Sequence, residues 1–250
     1  MAHNDFEGKT ALVTGATSGI GRAVAMRIAQ GGGRVLAGGR DQGRGEEVVD
    51  KIAQSGGQAE FITGDIHDAA TAGDLANRAL RAADGAIDIL INNAGIGTFG
   101  PTEGFDEPTF DQIFAVNVKA PFYLVGALAP KMAARGRGAI VNVTTMAAVF
   151  GVPGMAVYGA SKAAVSSMTK SWAAEYGPSG VRVNAVSPGP TRTPAVEFMG
   201  EALDQFGAQA PLGYVAQPEE IAAAIAYLAS DEASFVHGTV VHVDGGRTAI

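Results

Sequence analysis

Cysteine is absent from the 250-residue chain. That excludes disulfides, thiolate nucleophiles and cysteine-held metal, and leaves the compartment open. Histidine is scarce too: His3, His67, His237 and His242 are scattered without metal-ligand spacing, so no metal is expected. Basic charge is in deficit, with 18 Lys and Arg against 25 Asp and Glu and a net charge of -7. With no cluster of cations to meet nucleic acid or an anionic membrane, small molecules are the expected partners. No apolar run reaches the ~18 residues that span a bilayer. The polar, acidic start Met1-Ala-His-Asn-Asp-Phe-Glu7 lacks the basic-then-apolar order of a secretion signal. A soluble, cytoplasmic protein is expected. Linkers, repeats and low-complexity blocks are also missing, and 47% hydrophobic residues can fill one large core, so residues 1–250 are read as a single domain.

What is present is an alternation of short apolar runs and helical periodicity. Lys9-Thr-Ala-Leu-Val-Thr14 runs into Gly15-Ala-Thr-Ser-Gly19-Ile-Gly21, and a helical pattern follows to Gln30. Glycines 15, 19 and 21 let the backbone turn tightly and bring N–H groups at a helix N-terminus close to a pyrophosphate. The second strand, Arg34-Val-Leu-Ala-Gly38, is followed by Gly39-Arg40-Asp41. At this strand end a carboxylate would bond a ribose 2′-hydroxyl and an arginine would pair with a 2′-phosphate. Arg40 favours NADP(H) over NAD(H), which stays possible, while Asp41 and the exposed Arg44 keep open a reading of these charges as ordinary surface residues.

A helix from Gly45 to Gln54, strand Ala59–Thr63, a helix ending near Ala83 and strand Ile87–Ile91 follow. Asp65 is read either as a partner of the adenine amino group or as a cap for the helix beginning near Asp68. Asn92-Asn93-Ala94-Gly95 closes the fourth strand, with amides placed to hold the loop's own backbone and to line the ribose side of a cleft. Four strand–helix repeats predict right-handed crossovers and a parallel α/β sheet with ligands at the carboxyl strand ends.

The long helical pattern from Glu107 to Arg135 is expected to break near Pro121 and Pro130, and it carries the polar Asn117 in an apolar stretch. Asn117 is read as a satisfied buried amide or as a kink that holds a water. The fifth strand, Gly138–Val143, ends in Thr144-Thr145-Met146, whose hydroxyls can bond a substrate oxygen. In Tyr158-Gly-Ala-Ser-Lys162, on a helix expected from Ala156 to Tyr176, the spacing of four places ammonium beside phenol. A cation there lowers the phenol toward working pH, and the small neighbours Gly159 and Ala160 allow close approach to another backbone or a flat ligand. Trp172 is expected to pack in the core. After a sixth strand and Ser187-Pro188-Gly189, residues of about 190–215 lack clear periodicity and carry Phe198, Met199, Phe206 and Tyr214; they are read as a mobile substrate lid.

Together, Thr14-Gly-Ala-Thr-Ser-Gly-Ile-Gly21, Asp65-Ile66, Asn92-Asn-Ala-Gly95, Asn117, Tyr158-x-x-x-Lys162, Pro188-Gly189 and Val243-Asp-Gly-Gly246 make the chain similar to the short-chain dehydrogenase/reductase family. The likeness is closest to its 3-oxoacyl-carrier-protein-reductase-like branch and spans roughly residues 6–246. It implies a Rossmann fold with seven parallel, doubly wound strands in the order 3-2-1-4-5-6-7. It also implies hydride transfer between a nicotinamide and a carbonyl carbon, with Tyr158 moving the proton at the substrate oxygen. Lys162 would lower the phenol and bond the nicotinamide ribose, and Asn117 would hold the water of a proton relay. Thr193 and the Thr191 backbone would fix the carboxamide. Gly15, Thr17, Ser18, Gly19, Ile20, Gly21, Arg40, Asp65, Ile66, Asn93, Ala94, Gly95, Pro188 and Gly189 would complete the cofactor site. A homotetramer built partly from the Tyr158 helix and the strand near the C-terminus is implied as well.

Two positions depart from the family pattern. Thr145 stands where a serine is usual, keeping the hydroxyl but adding a methyl and a stiffer torsion. Thr17 and Ser18 stand where NADP(H) users often carry a base, so a 2′-phosphate would rest mainly on Arg40. The leading expectation is an NADP(H)-dependent ketoreductase or alcohol dehydrogenase for an apolar ketone or secondary alcohol, with 3-oxoacyl reduction as one form. Its pocket is expected to include Thr145, Met146, Phe150, Val152, Tyr158, Phe198 and Met199. The alternatives are an NAD-dependent alcohol dehydrogenase of the same family and a non-catalytic nicotinamide-binding sensor or scaffold. The shortness of the chain disfavours an epimerase or dehydratase of the nucleotide-sugar type.

Overall fold

A computed structural model describes residues 5–250; Met1–Asn4, and with them His3, lie outside it. Seven parallel strands form one sheet: β1 Thr10–Thr14, β2 Arg34–Gly39, β3 Gln58–Thr63, β4 Ile89–Asn92, β5 Gly138–Val143, β6 Val181–Pro188 and β7 Val240–Val243. Their order is β3-β2-β1-β4-β5-β6-β7, as the resemblance implied. The strands alternate with helices α1 Gly19–Gln30, α2 Gln42–Gln54, α3 Ala69–Ala82, α4 Glu107–Phe114, α5 Ala120–Ala134, α6 Ala156–Tyr176, α7 Glu201–Ala208 and α8 Pro218–Ala229.

The central strands read as unbroken apolar runs because both faces of the sheet are covered. Along β1, Ala11 and Val13 point into a layer with α1 and α8, built on Val24, Ile28 and Ile225, whereas Leu12 points to the opposite layer with α3 and α5, built on Leu75, Leu124 and Leu128. Trp172 joins that second layer at 6% exposure, a packing role as expected. Chain order reverses between β1 and β4, and a parallel sheet opens a crevice at the carboxyl ends of the strands there.

Several helix starts are set by side-chain caps: Asp41 accepts from Arg44 N, Asp68 from Thr71 N and Asp106 from Thr109 N. The cap at Asp41 starts α2 three residues earlier than expected from Gly45. Gly45 is no helix breaker here. It lies under the Phe61 ring, and a Cβ would come within 2.2 Å of that ring.

The stretch expected to break at Pro121 and Pro130 is one continuous helical run, Glu107–Ala134. Pro121 lies inside that run, two residues past its π turn, where its ring nitrogen has no N–H to return to the preceding turn. The irregularity lies earlier, in a π turn over Ala115–Lys119 where Ala120 N bonds back to Ala115 O. By length and composition this run is apolar enough to cross a membrane, contrary to the expectation that no segment reaches that limit; half of its apolar window is buried inside the fold, and α5 packs on α3 and α6. The segment after β6 is also more ordered than expected, holding a 3-10 turn over Pro194–Met199 and then α7.

Candidate active site

The loop between β1 and α1 bends at Gly15 (φ +65°) and Gly19 (φ +51°), a region where a side chain is strained. Gly21 is fixed by space: a Cβ there would lie 2.2 Å from Gly15 O and 2.4 Å from Asn93 Nδ2. Ser18 occupies the cap position of α1 without bonding the helix, so the first N–H groups of α1 lack a side-chain cap. A glycine cradle at an uncapped helix start fits the phosphates of a dinucleotide. Thr193 lies against Gly19, where an added Cβ would meet its Cγ2 at 3.0 Å, and so ties the start of the segment after β6 to the cradle.

The loop after β4 is stitched to this cradle. Asn93 Nδ2 donates to Thr14 O (2.9 Å) and Gly15 O (3.2 Å), the self-holding role read from the amide pair. The Thr14 hydroxyl accepts from Asn93 N and Ala94 N and donates to Ile91 O, a bracing role that reading the sequence did not single out. Asn92 turns inward instead, donating to Asn142 Oδ1 at 2.8 Å, which removes it from the cleft. Past the end of β2, Asp41 is used by its α2 cap and by Arg44, while Arg40 faces Asp65 at 3.7 Å across an exposed gap. The cap that Asp65 was weighed for belongs to Asp68. At the far side of the crevice, Pro188 ends β6, Gly189 packs on the Asp244 backbone, and Thr191 is buried with its hydroxyl on Gly189 O at 2.9 Å.

Helix α6 carries Tyr158 and Lys162 beside these strand ends. The small Gly159 is required because a Cβ would sit 2.6 Å from Ala147 O, the close backbone approach expected there. Lys162 is 4% exposed and donates from Nζ to Val143 O at 2.9 Å, at the end of β5. Burial pushes its ammonium down from 10.5 to about 8. The phenol departs from expectation: burial raises Tyr158 above its usual 10.0, and the group that pulls it back is the Thr145 hydroxyl, through a hydrogen bond. Here the lysine charge faces a carbonyl rather than the phenol.

Asn117 is a fully bonded buried amide in the π turn. Its Oδ1 accepts from Ile96 N (2.9 Å), and its Nδ2 donates to Ile96 O (2.8 Å) and Ser161 Oγ (3.0 Å). It thereby pins the loop after Gly95 onto α6, and a Cβ at Gly95 would lie 3.0 Å from Lys162 Nζ and 3.3 Å from Asn117 Oδ1. Of the expected pocket residues, Phe198 is brought in through Phe99, whose ring meets Tyr158 edge-on (5.7 Å, 88°) and stacks on Phe198 (6.4 Å, 27°). Phe99 was missed by the sequence reading; the one sequence signal was its place just past Asn92-Asn-Ala-Gly95. Met146 is buried at the start of a 3-10 turn, Phe150 and Val152 are half-buried in the next loop, and Met199 ends the turn that carries Phe198.

A model of a family described as enoyl-(acyl carrier protein) reductase matches residues 15–248. The 3-oxoacyl-[acyl-carrier-protein] reductase of Thermotoga maritima is 37% identical over 96% of this chain and 98% of its own length. The chain belongs to the short-chain dehydrogenase/reductase family. A solved family structure shares 48% identity and superposes with a TM-score of 0.91, covering 98% of this chain and 100% of the other. Another, provisionally assigned as an NAD(P)-dependent gluconate 5-dehydrogenase of Beutenbergia cavernae and carrying NADP at low occupancy, shares 40% identity with a TM-score of 0.93 over 98% of each chain. This family member is an NAD(P)-dependent oxidoreductase that acts on alcohol or ketone groups. Among the described residues no cluster of histidine and carboxylate side chains can hold a metal.

Proposed function

We propose that the protein is an NADP(H)-preferring ketoreductase or alcohol dehydrogenase for a ketone or secondary alcohol with an apolar body. The observation that carries this reading is the meeting of Tyr158, its Thr145 hydrogen bond and the Phe99–Phe198 wall above the glycine cradle. When bound, the nicotinamide supplies the two-electron donor or acceptor. Every other task falls to the chain. Tyr158 hands its phenolic proton to the carbonyl oxygen in reduction and takes it back in oxidation. Thr145 steadies that oxygen and favours phenolate, as its hydrogen bond already does here. Lys162, whose Nζ rests on Val143 O at the end of β5, would bond the ribose hydroxyls of a bound cofactor and in turning to them would bring its charge toward the phenol. Asn117 holds Ile96 and Ser161 fixed beside it, which keeps α6 and the loop after Gly95 in one register. Asn93, Ala94, Pro188, Gly189, Thr191 and Thr193 line the remaining cofactor wall, and residues 190–215 close over the substrate as a lid.

Preference for NADP(H) rests on Arg40, which has only an exposed, long ion pair with Asp65 to give up. Arg40→Asp therefore weakens NADPH binding far more than NADH binding, measured by titration of each cofactor; equal losses would show that Arg40 does not read the 2′-phosphate. Relatives that include the 3-oxoacyl reductase support a carbonyl substrate and leave its identity to a panel of ketones. By the same family analogy we assign a homotetramer, which sedimentation would test.

A further inference from the structure

The chain past β7 forms a tight turn that holds one arginine between the loop that precedes α6 and the segment that follows α7. Asp244 is buried and its carboxylate accepts from Gly246 N (2.9 Å), Thr248 N (3.0 Å) and Thr248 Oγ1 (2.6 Å). This turn packs on the end of β6, since a Cβ at Gly189 would lie 2.7 Å from Asp244 Cα. It also packs on the segment after α7: Leu212 N donates to Gly245 O at 3.0 Å, and a Cβ at Gly246 would meet Pro211 at 3.0 Å. Arg247 leaves it with its guanidinium 4.8 Å from the centroid of Phe150, in the loop between β5 and α6. The far side of the guanidinium touches Gln209 Oε1 at 3.4 Å, just past α7. Arg247 thus joins the β5–α6 loop, which leads into the helix carrying Tyr158, to the segment that follows the Phe198 turn and α7.

Its charge is unanswered. None of the ion pairs among the described residues includes Arg247, and its buried Nε has no hydrogen-bond partner. The nearby carboxylate of Asp244 is saturated by the turn, and the lid's Asp204 is paired with Arg192. A guanidinium steadied on an aromatic face with free, planar donors is preorganised for a carboxylate. We infer that Arg247 is a specificity-determining residue that anchors a carboxylate at the end of the substrate remote from the reacting carbon, so that the substrate is a hydroxy or oxo acid. This rests on the oxidoreductase site proposed above and narrows its substrate class.

The test uses the full-length protein with NADPH and measures kcat/KM for levulinate and its next two straight-chain homologues, each beside its methyl ester. Wild-type protein is expected to favour one acid over its ester by roughly ten- to a hundredfold, the range of a charged hydrogen bond. Arg247→Met brings that ratio close to one through KM, and Arg247→Lys restores part of it. A second readout needs no turnover: pentanoate, hexanoate and heptanoate, against the corresponding primary amides, are titrated calorimetrically into protein with NADP+. Esters reduced as well as acids, or an acid preference that survives in Arg247→Met, would overturn the inference and leave the reductase reading standing. Arg247-dependent binding of an acid with no oxidation of NADPH by any ketone would support the anchor while removing the reductase reading.

Discussion

Lys162 sits in the core at a cost that can be measured. Its ammonium titrates at about 8 instead of 10.5 because burial strips its hydration, with one hydrogen bond to Val143 O in return. The unfolded chain therefore holds more protons than the folded one between those two values, so stability rises with pH across that window. Below pH 8 the folded state carries the full penalty, which at 1.36 kcal/mol per unit amounts to roughly 3 kcal/mol. Lys162→Met removes the charge, keeps the apolar stem and forfeits a charged bond to the buried Val143 O, a loss of about 2 kcal/mol. At pH 7 the variant should be more stable by about 1 kcal/mol, which raises Tm by roughly 2–4 °C for a chain of this size. Melting both proteins in parallel at pH 7, 8.5 and 10 checks this, and the advantage must shrink as pH rises toward 10.5 while activity stays lost throughout. A variant no more stable than wild type at pH 7, or an advantage indifferent to pH, would refute the reasoning.

Two further outcomes follow from the same geometry. Asn117→Ala deletes three buried hydrogen bonds and leaves both polar groups of Ile96 unpaired, so urea unfolding should show a loss of about 3 kcal/mol together with weakened cofactor binding. Thr145→Ser should keep turnover within a few fold, whereas Thr145→Ala should lower kcat on the order of a hundredfold. Because the Thr145 bond holds the phenol down, Thr145→Ala should also move the alkaline limb of the kcat/KM profile upward, which a pH–rate series reads directly.

Features carried by backbone rules were legible in the sequence, whereas those made by distant side chains were not. Glycines 15, 19 and 21 after an apolar run announce a strand, a phosphate loop and a helix, because few other chain geometries need them there. The close approach of α6 was likewise readable in Gly159 and its small neighbours. The start of α2 was missed because Gly43 and Gly45 look like loop residues; only the Phe61 ring packed over Gly45 explains a glycine inside that helix. The interruption read near Pro121 is a π turn just before it, and its partner was hidden: Asn117 in that turn bonds the backbone of Ile96, twenty-one residues away. Phe99 stands in a glycine-rich loop with no periodicity to mark it, and its partner rings come from α6 and from the 3-10 turn after β6. The direction of the Tyr158 phenol depends on where the Lys162 tip points, which spacing along a helix does not decide.

The proposed chemistry turns on one proton. Tyr158→Phe keeps the ring that Phe99 packs against and removes only the hydroxyl, so NADPH should bind the variant nearly as tightly as wild type by fluorescence titration. Single-turnover reduction of a ketone that wild type accepts should then fall by at least about a hundredfold, the lower range for loss of a general acid. Retention of most of the wild-type rate with NADPH bound would contradict the account.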